Sequence, residues 1–397
     1  MKTSSRKQVT ILSFALVVVM LGFGMVIPIF PFYVQRMGAG GSELGLLTAT
    51  AAFTELVFGP LWGSISDRRG RKPILMLGLL GYGLSSLLFG FATRLWMLFV
   101  FRALSGVLSA ATLSTAMAYI GDSTSDEDRG GGMGILGAAM GLGLILGPGF
   151  GGWLGNISLS TPFFAAAALS LLTMILVFFL LPESLSPEAR RQAGGKVRTV
   201  QLGELWRALS SPIGILLFMV FLASFGLANF EAVFGLYALQ KFGYGPDRVG
   251  AILVVVGLVS TVGKVFTGSL TRRWGDAAVI KTSLFTGSVG FLVLLLANTY
   301  PTILLATGFF VLSKTFLRPA VMSLTSKRAT VGQGAAMGLC NSFMSLGRIV
   351  GPIWAGFVFD VNVNSPYLSG AAILFVGFLI SLVWVSQGSK EQAGAEV

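Results

Sequence analysis

Apolar residues occur in long uninterrupted blocks, at about 9–33, 45–66, 73–93, 95–120, 132–156, 162–182, 212–239, 248–271, 279–298, 301–326, 333–359 and 365–387. Each block approaches the ~20 residues an α-helix needs to cross a bilayer core. The pattern therefore predicts an all-α integral membrane protein with twelve transmembrane helices. The polar breaks are short except for Pro182 to Ser211, which holds Glu183, Glu188, Arg190, Arg191, Lys196, Arg198, Glu204 and Arg207. That break divides the chain into an N-terminal six-helix bundle (1–182), a cytoplasmic linker (183–211) and a C-terminal six-helix bundle (212–397). The first block is too long for a signal-peptide core and lacks a small-residue cleavage site, so it is expected to be a retained span.

Composition agrees with this reading. The chain is 54% apolar and only 11% charged, too little charge to cover a soluble protein of 397 residues. The net charge of +12 could suggest nucleic acid, but the cations cluster in loops between spans, where they report topology. Segments on the side of the N-terminus carry 19 of the 28 Lys and Arg, and the opposite loops carry four: Arg36, Arg94, Lys241 and Arg248. Both termini are expected on the cytoplasmic side. The acidic loop Asp122 to Arg129 counts little in this rule. The single cysteine, Cys340, lies within a span and cannot form an internal disulfide.

The two halves resemble each other. The loop Gly59-Pro60-Leu61-Trp62-Gly63-Ser64-Ile65-Ser66-Asp67-Arg68-Arg69-Gly70-Arg71-Lys72 has a weaker copy at Gly268 to Asp276. Gly134, Gly143, Gly147 and Pro148 of span five recur 204 residues later as Gly338, Gly347, Gly351 and Pro352. Gly22 and Tyr33 recur as Gly226 and Tyr237 at the same offset. Two pseudo-symmetric, like-oriented bundles with a substrate site between them near the midplane suit a rocking secondary transporter.

Charges within spans are costly and usually face protein or a water-filled cavity. Seven lie well inside: Glu55, Arg102, Glu231, Lys264, Lys314, Arg318 and Arg348. Spans three, six, nine and twelve carry none and can face lipid on most sides. Glu231, flanked by Phe230, Phe234 and Tyr237, is the foremost proton-coupling candidate. A carboxyl held away from water there can cycle between protonated and ionised forms near neutral pH. The competing reading is a structural ion pair with Arg318, Lys314 or Arg348. Arg102 stays charged and could modulate a nearby proton site or bind neighbouring carbonyls. Glu55 is a second candidate carboxylate, and Arg318 completes the proton-coupling set. Lys264 is nearer the cytoplasmic end and can snorkel. The expected substrate cavity comprises Glu231, Phe230, Phe234, Asn229, Tyr237, Lys314, Asn341 and Arg348.

Span five places Gly143, Gly147, Gly151 and Gly152 around Pro148. Glycines three to four apart make a flat groove for another helix, and proline adds a kink. Packing alone explains the groove; a seal between the halves is the functional reading. In the first loop, topology accounts for Arg68, Arg69, Arg71 and Lys72 but not for the spacing of Gly63 and Asp67. Asp67 could accept hydrogen bonds from another helix N-terminus, a latch worth ~0.3–1 kcal/mol. Gly63, Asp67, Arg68, Gly70 and Arg71 with the span-five residues form the candidate conformational gate.

At these residues the chain resembles the major facilitator superfamily, specifically its twelve-span drug:proton antiporters. The resemblance rests on Gly63-x3-Asp67-Arg68-Arg69-Gly70-Arg71-Lys72, on Arg102-x3-Gly106 and on Gly134-x8-Gly143-x3-Gly147-Pro148-x2-Gly151-Gly152. It is most like the NorA-type quinolone and multidrug exporters of Gram-positive bacteria at Gly22-x5-Pro28-Ile29-Phe30-Pro31, at Ser224 to Glu231, at Arg318-Pro319-Ala320 and at Gly351-Pro352-x3-Gly356-x3-Asp360. The resemblance implies the major facilitator fold and assigns Glu231 to coupling and the substrate cavity. It also implies proton-coupled export of hydrophobic or amphipathic drugs by alternating access, from a multi-pass monomer in a bacterial cytoplasmic membrane. One position departs from the pattern: the second acid expected three residues before Arg318 is Thr315, beside Lys314. Zwitterionic or neutral amphipaths are therefore expected over permanent cations, unless Glu55 replaces the missing acid.

A dedicated porter for one metabolite, sugar or lipid is the alternative, but the expected cavity helices have few paired amides or hydroxyls of the kind that bind sugars. The chain has no histidine, no metal cluster and no nucleotide-binding glycine loop, which argues against enzymatic chemistry, cofactors and ATP drive. The expected partners are protons, small amphipathic molecules and the lipid bilayer, without nucleic acid.

Overall fold

Proline and glycine punctuate a chain that is otherwise helical. The computed structural model describes residues 3–192, 202–329 and 332–393. Its helices are α1 (Thr3–Val26), α2 (Phe30–Arg36), α3 (Gly41–Arg69), α4 (Arg71–Gly90), α5 (Leu95–Ser123), α6 (Asp126–Gly155), α7 (Thr161–Leu180), α8 (Pro187–Gln192), α9 (Leu202–Leu209), α10 (Gly214–Phe242), α11 (Pro246–Trp274), α12 (Asp276–Leu296), α13 (Tyr300–Arg328), α14 (Gln333–Val361) and α15 (Ser365–Ala393). The described residues contain no strand. Among the described residues, twelve segments are long and apolar enough to cross a membrane. The first of them is broken into α1 and α2 at Ile27–Ile29, where Pro28 interrupts the helical hydrogen bonds.

Two compact units result. One comprises residues 1–39, 50–199 and 244–254, and the other 40–49, 200–243 and 255–397. In the first unit α1 packs on α6 and α7, and α4 packs on α5 and α7. Leu12, Leu16, Leu75, Leu79, Tyr119 and Val177 share its core. In the second unit α10 packs on α14, α13 and α15, and α12 on α13 and α15. Its centre is aromatic: Phe291 meets Phe310 at 4.3 Å between ring centroids, and Tyr237 meets Tyr367 at 4.6 Å. Outward-facing positions are apolar instead of charged, with Phe179, Val265, Leu296 and Leu305 about three-quarters exposed. Trp96, Trp153, Trp274 and Trp384 are exposed near the ends of apolar spans, as in an aromatic belt.

Glycines set the closest helix contacts, and the duplication extends to them. A methyl on Gly143 would lie 2.6 Å from the Val17 carbonyl oxygen, and one on Gly347 the same distance from that of Phe221, 204 residues on. Gly147 meets Leu21 (2.7 Å from its oxygen) as Gly351 meets Phe225 (2.8 Å). Thus α6 seats α1 as α14 seats α10. No side chain fits between backbones at that range.

The turns before α4 and α12 also match. Gly70 and Gly275 take φ of +104° and +80°, conformations natural only to glycine. The residues that follow are Arg71 and Asp276, and their polarity is exchanged. Arg71 Nε donates to Asp122 Oδ2 at 2.8 Å, whereas Lys327 Nζ donates to Asp276 Oδ2 at 2.6 Å. Each partner lies 205 residues from its counterpart. Asp276 is almost fully buried and would keep the Ser323 hydroxyl as donor but lose its countercharge, so Lys327→Ala should cost about 1–3 kcal/mol. The reciprocal exchange Asp276→Lys with Lys327→Asp should recover most of that loss, because the other half already works with the reversed order. Thermal unfolding of the three variants in detergent checks this, and no recovery in the double variant would refute it.

Candidate functional site

Between Gly214 and Phe242 the α10 helix turns nearly every residue into the bundle. Its partly accessible positions include Phe218, Phe221 and Leu227, and Glu231 is the exposed position amid buried neighbours. Four of the residues expected to line a cavity with Glu231 turn into the bundle instead. Phe230 and Phe234 are at most 1% exposed and stack with each other at 4.8 Å, and Phe230 meets Phe310 at 5.2 Å. Asn229 is fully buried and donates from Nδ2 to the Pro366 carbonyl at 3.2 Å, tying α10 to the start of α15. Tyr237 is also fully buried, with its hydroxyl accepting from Lys241 Nζ at 2.7 Å. Successive helix residues differ by about 100° in direction, so sequence neighbours of Glu231 need not share its face.

The groups that do gather near Glu231 come from other helices. Arg348 of α14 is its charged neighbour. Arg318 of α13 lies within electrostatic reach of Arg348 and of Lys264 on α11. All four side chains are exposed, and so is Asn341, two turns before Arg348 on α14. Lys314 is not among them. It points into the bundle, 94% buried by its 6% exposure, with no hydrogen-bond partner for Nζ. Its ammonium nitrogen sits 2.8 Å from where a Gly226 methyl would be, and 6.0 Å from the Phe310 ring centre.

In the first unit Arg102 of α5 lays its guanidinium over the Phe30 ring at 4.8 Å, near the Tyr82 hydroxyl. Tyr82 in turn stacks on Phe23 at 4.6 Å. Such cation–π contact holds a permanent charge away from water without neutralising it. Glu55 of α3 is half-buried, while its neighbour Thr54 turns inward against Gly106.

The gate residues divide into two groups. Asp67, in the last turn of α3, pairs at 2.5 Å with the guanidinium of Arg71, the first residue of α4. Arg71 also donates to Ser66 Oγ at 2.6 Å. Arg68 is exposed, and nothing lies within 4 Å of a methyl placed on Gly63. Glu183 caps α4 by accepting from the backbone N–H of Arg71 at 2.8 Å and of Lys72 at 3.2 Å, and its carboxylate leaves no room for a side chain at Gly70. In the second group, Gly143, Gly147 and Gly151 face α1, Gly152 faces Pro246 and Asp247, and the Pro148 carbonyl abuts Gly250. A corresponding contact in the other unit joins the start of α3 to α14: Asp360 accepts from the N–H of Gly41 at 2.7 Å and of Ser42 at 2.8 Å, and from the Ser42 hydroxyl. Carboxylates at helix N-termini satisfy orphan donors and the helix dipole together.

A description of the Major Facilitator Superfamily matches residues 12–228 and again residues 216–396. The chain belongs to the Major Facilitator Superfamily. It is 35% identical over 389 residues to "Multidrug resistance protein 2" of Bacillus subtilis (strain 168), covering 97% of each chain. It is 29% identical over 380 residues to "Quinolone resistance protein NorA" of Staphylococcus aureus (strain COL), covering 95% of this chain and 96% of that one. Among solved structures, the nucleoside transporter NupG superposes with a TM-score of 0.80 at 13% identity, over 95% of this chain and 99% of that one. The human organic anion transporter MFSD10 (TETRAN) gives 0.67 at 21% identity, over 95% and 99%. At these identities the structural likeness concerns the fold alone.

For a member of this superfamily, a multi-pass membrane transporter and not an enzyme, several structurally engaged residues escaped the sequence reading. Leu227, one turn before Glu231, could have been reached by stepping back along the helix. Glu183 and Asp360 could not, because a capping carboxylate more than a hundred residues from its helix leaves no local signal.

Proposed function

We propose that this superfamily member is a proton-coupled antiporter that exports hydrophobic and amphipathic small molecules from a bacterial cytoplasm by alternating access. It works as a monomer, with both termini cytoplasmic, and draws on the proton gradient without a cofactor. One observation carries the reading: Glu231 is the acid that α10 turns outward from an otherwise buried surface, next to Arg348. An exposed carboxylate at membrane depth is expensive to keep unless it handles a charge that comes and goes. The names of the relatives supply the substrate class. Antiport requires that proton and substrate exclude each other, and a single acid that either can occupy achieves this.

Energised inverted vesicles test the proposal. A panel of lipophilic drugs, including a permanent cation and a zwitterionic quinolone, should accumulate against its gradient. That accumulation should collapse when a protonophore dissipates the pH difference. Purified protein should release protons on addition of a transported drug. Drug accumulation indifferent to the protonophore, or binding without proton release, would sink the antiport reading.

A further inference from the structure

The short helix α9 divides its surface three ways. Leu205 and Ala208 are buried, where α9 packs on α10 and α14. Trp206 is 76% exposed and Leu209 38%, a second apolar face that the bundle leaves uncovered. Gly203 and Arg207 are exposed as well. At about 100° per residue the order around the helix is Ala208, Leu205, Leu209, Trp206, Gly203, Arg207. A helix between a bundle and water has no use for the second face. One lying along a bilayer surface does, because its apolar side meets acyl chains and its charged side meets headgroups. The helix is also fixed in place. The Ser210 and Ser211 N–H groups donate to the Arg207 and Ala208 carbonyls at 3.2 Å each, and the Leu209 carbonyl leaves no room for a side chain at Gly214. Thus α9 sits where the span Gly214–Phe242 begins.

This end of the second unit is cationic. Successive spans alternate in direction, so the start of α10 shares its side with the ends of α11, α13 and α15. Arg272, Arg273 and Lys327 are exposed there, whereas Asp276 is buried in its pair with Lys327. Glu204 is the one acid in the sequence of α9, and Lys196 and Arg198 precede it in the chain. Trp274 and Trp384, 55% and 60% exposed, close their spans on the same side, at the depth where indoles meet headgroups.

We propose that α9 is a membrane-surface helix that binds anionic phospholipid of the cytoplasmic leaflet. Trp206 and Leu209 enter the boundary between headgroups and acyl chains, and Arg207 meets the lipid phosphates. The choice of leaflet rests on the functional reading above, which puts both termini in the cytoplasm; the seating of α9 in lipid does not. Because α9 packs on α10 and α14, its hold on the bilayer fixes the ends of the two helices that carry Glu231 and Arg348.

Fluorescence quenching in nanodiscs of phosphatidylcholine and phosphatidylglycerol tests the seating. Gly203→Cys, Leu205→Cys, Trp206→Cys, Arg207→Cys and Leu209→Cys are made singly in a Cys340→Ala background, and each is labelled with a small fluorophore. Doxyl-labelled lipid should quench the probes at 206 and 209, and aqueous iodide those at 203 and 207. Neither should reach position 205. With the probe at 209, doxyl-phosphatidylglycerol should quench more strongly than doxyl-phosphatidylcholine. Arg207→Gln should lower that preference about five-fold, the worth of one cation at the surface, and Arg207→Lys should keep it. Iodide quenching at 206 equal to that at 207 would place α9 in water and overturn the inference. A probe at 206 shielded from both quenchers would overturn it too, by showing that a second copy or another protein covers the face. An unchanged lipid preference in Arg207→Gln would remove the headgroup contact. Sealed inverted vesicles test the leaflet separately. An impermeant maleimide should label Arg207→Cys from their outside, and labelling confined to right-side-out vesicles would reverse the orientation while leaving the seating intact.

Discussion

Glu231→Gln is expected to reduce pH-driven concentrative export by about ten-fold or more and to remove its dependence on external pH. Glutamine keeps the size and hydrogen-bonding shape of the side chain but cannot bind and release a proton. The surroundings make this a clean change: the side chain is exposed, and the aromatic residues around it in sequence pack into the bundle without its help. Folding and thermal stability should therefore change little. A structural ion pair with Arg348 makes a different forecast. If Glu231 only neutralised that arginine, Arg348→Gln in the Glu231→Gln background would restore export. If Glu231 carries the proton, the double variant stays inactive. Counterflow, which exchanges drug for drug without net proton movement, should survive Glu231→Gln wherever the substrate still binds. Wild-type concentrative export by Glu231→Gln across pH would remove the coupling assignment.

The second large effect concerns packing. Gly147→Ala should leave little folded protein, because the new methyl would lie 2.6 Å from the Gly24 Cα and 2.7 Å from the Leu21 carbonyl oxygen. Both are backbone atoms of α1 and cannot rotate away. Relief requires α1 and α6 to separate along their length, at a cost of about 1–3 kcal/mol or more. The same helix supplies its own control. Nothing lies within 4 Å of a methyl on Gly137 or Gly141, so Gly137→Ala and Gly141→Ala should be neutral or gain about 0.5–1 kcal/mol of helix stability. Monodispersity and melting temperature of the purified variants separate the two classes. A well-folded, active Gly147→Ala protein would show that the α1–α6 contact is looser than described.

The pattern of apolar blocks by itself determined the number of spans, since spanning length depends only on bilayer thickness and helix rise. It also determined the seven in-span charges, because an ionisable residue among twenty apolar ones is visible without knowing the fold. The glycine spacing of span five announced a close helix contact, and the 204-residue offset announced its repetition. The direction each side chain takes lay beyond the sequence. Phe230, Phe234 and Tyr237 flank Glu231 along the chain yet fill the aromatic core, and Lys314 lies four residues from Arg318 yet points into the bundle. Which helices press on α10 decides these directions, and that pressure comes from residues on α13, α14 and α15. The carboxylate caps by Glu183 and Asp360 depend on tertiary structure for the same reason. Their partners are backbone N–H groups, which every residue but proline possesses, so only the folded chain can select which ones they meet.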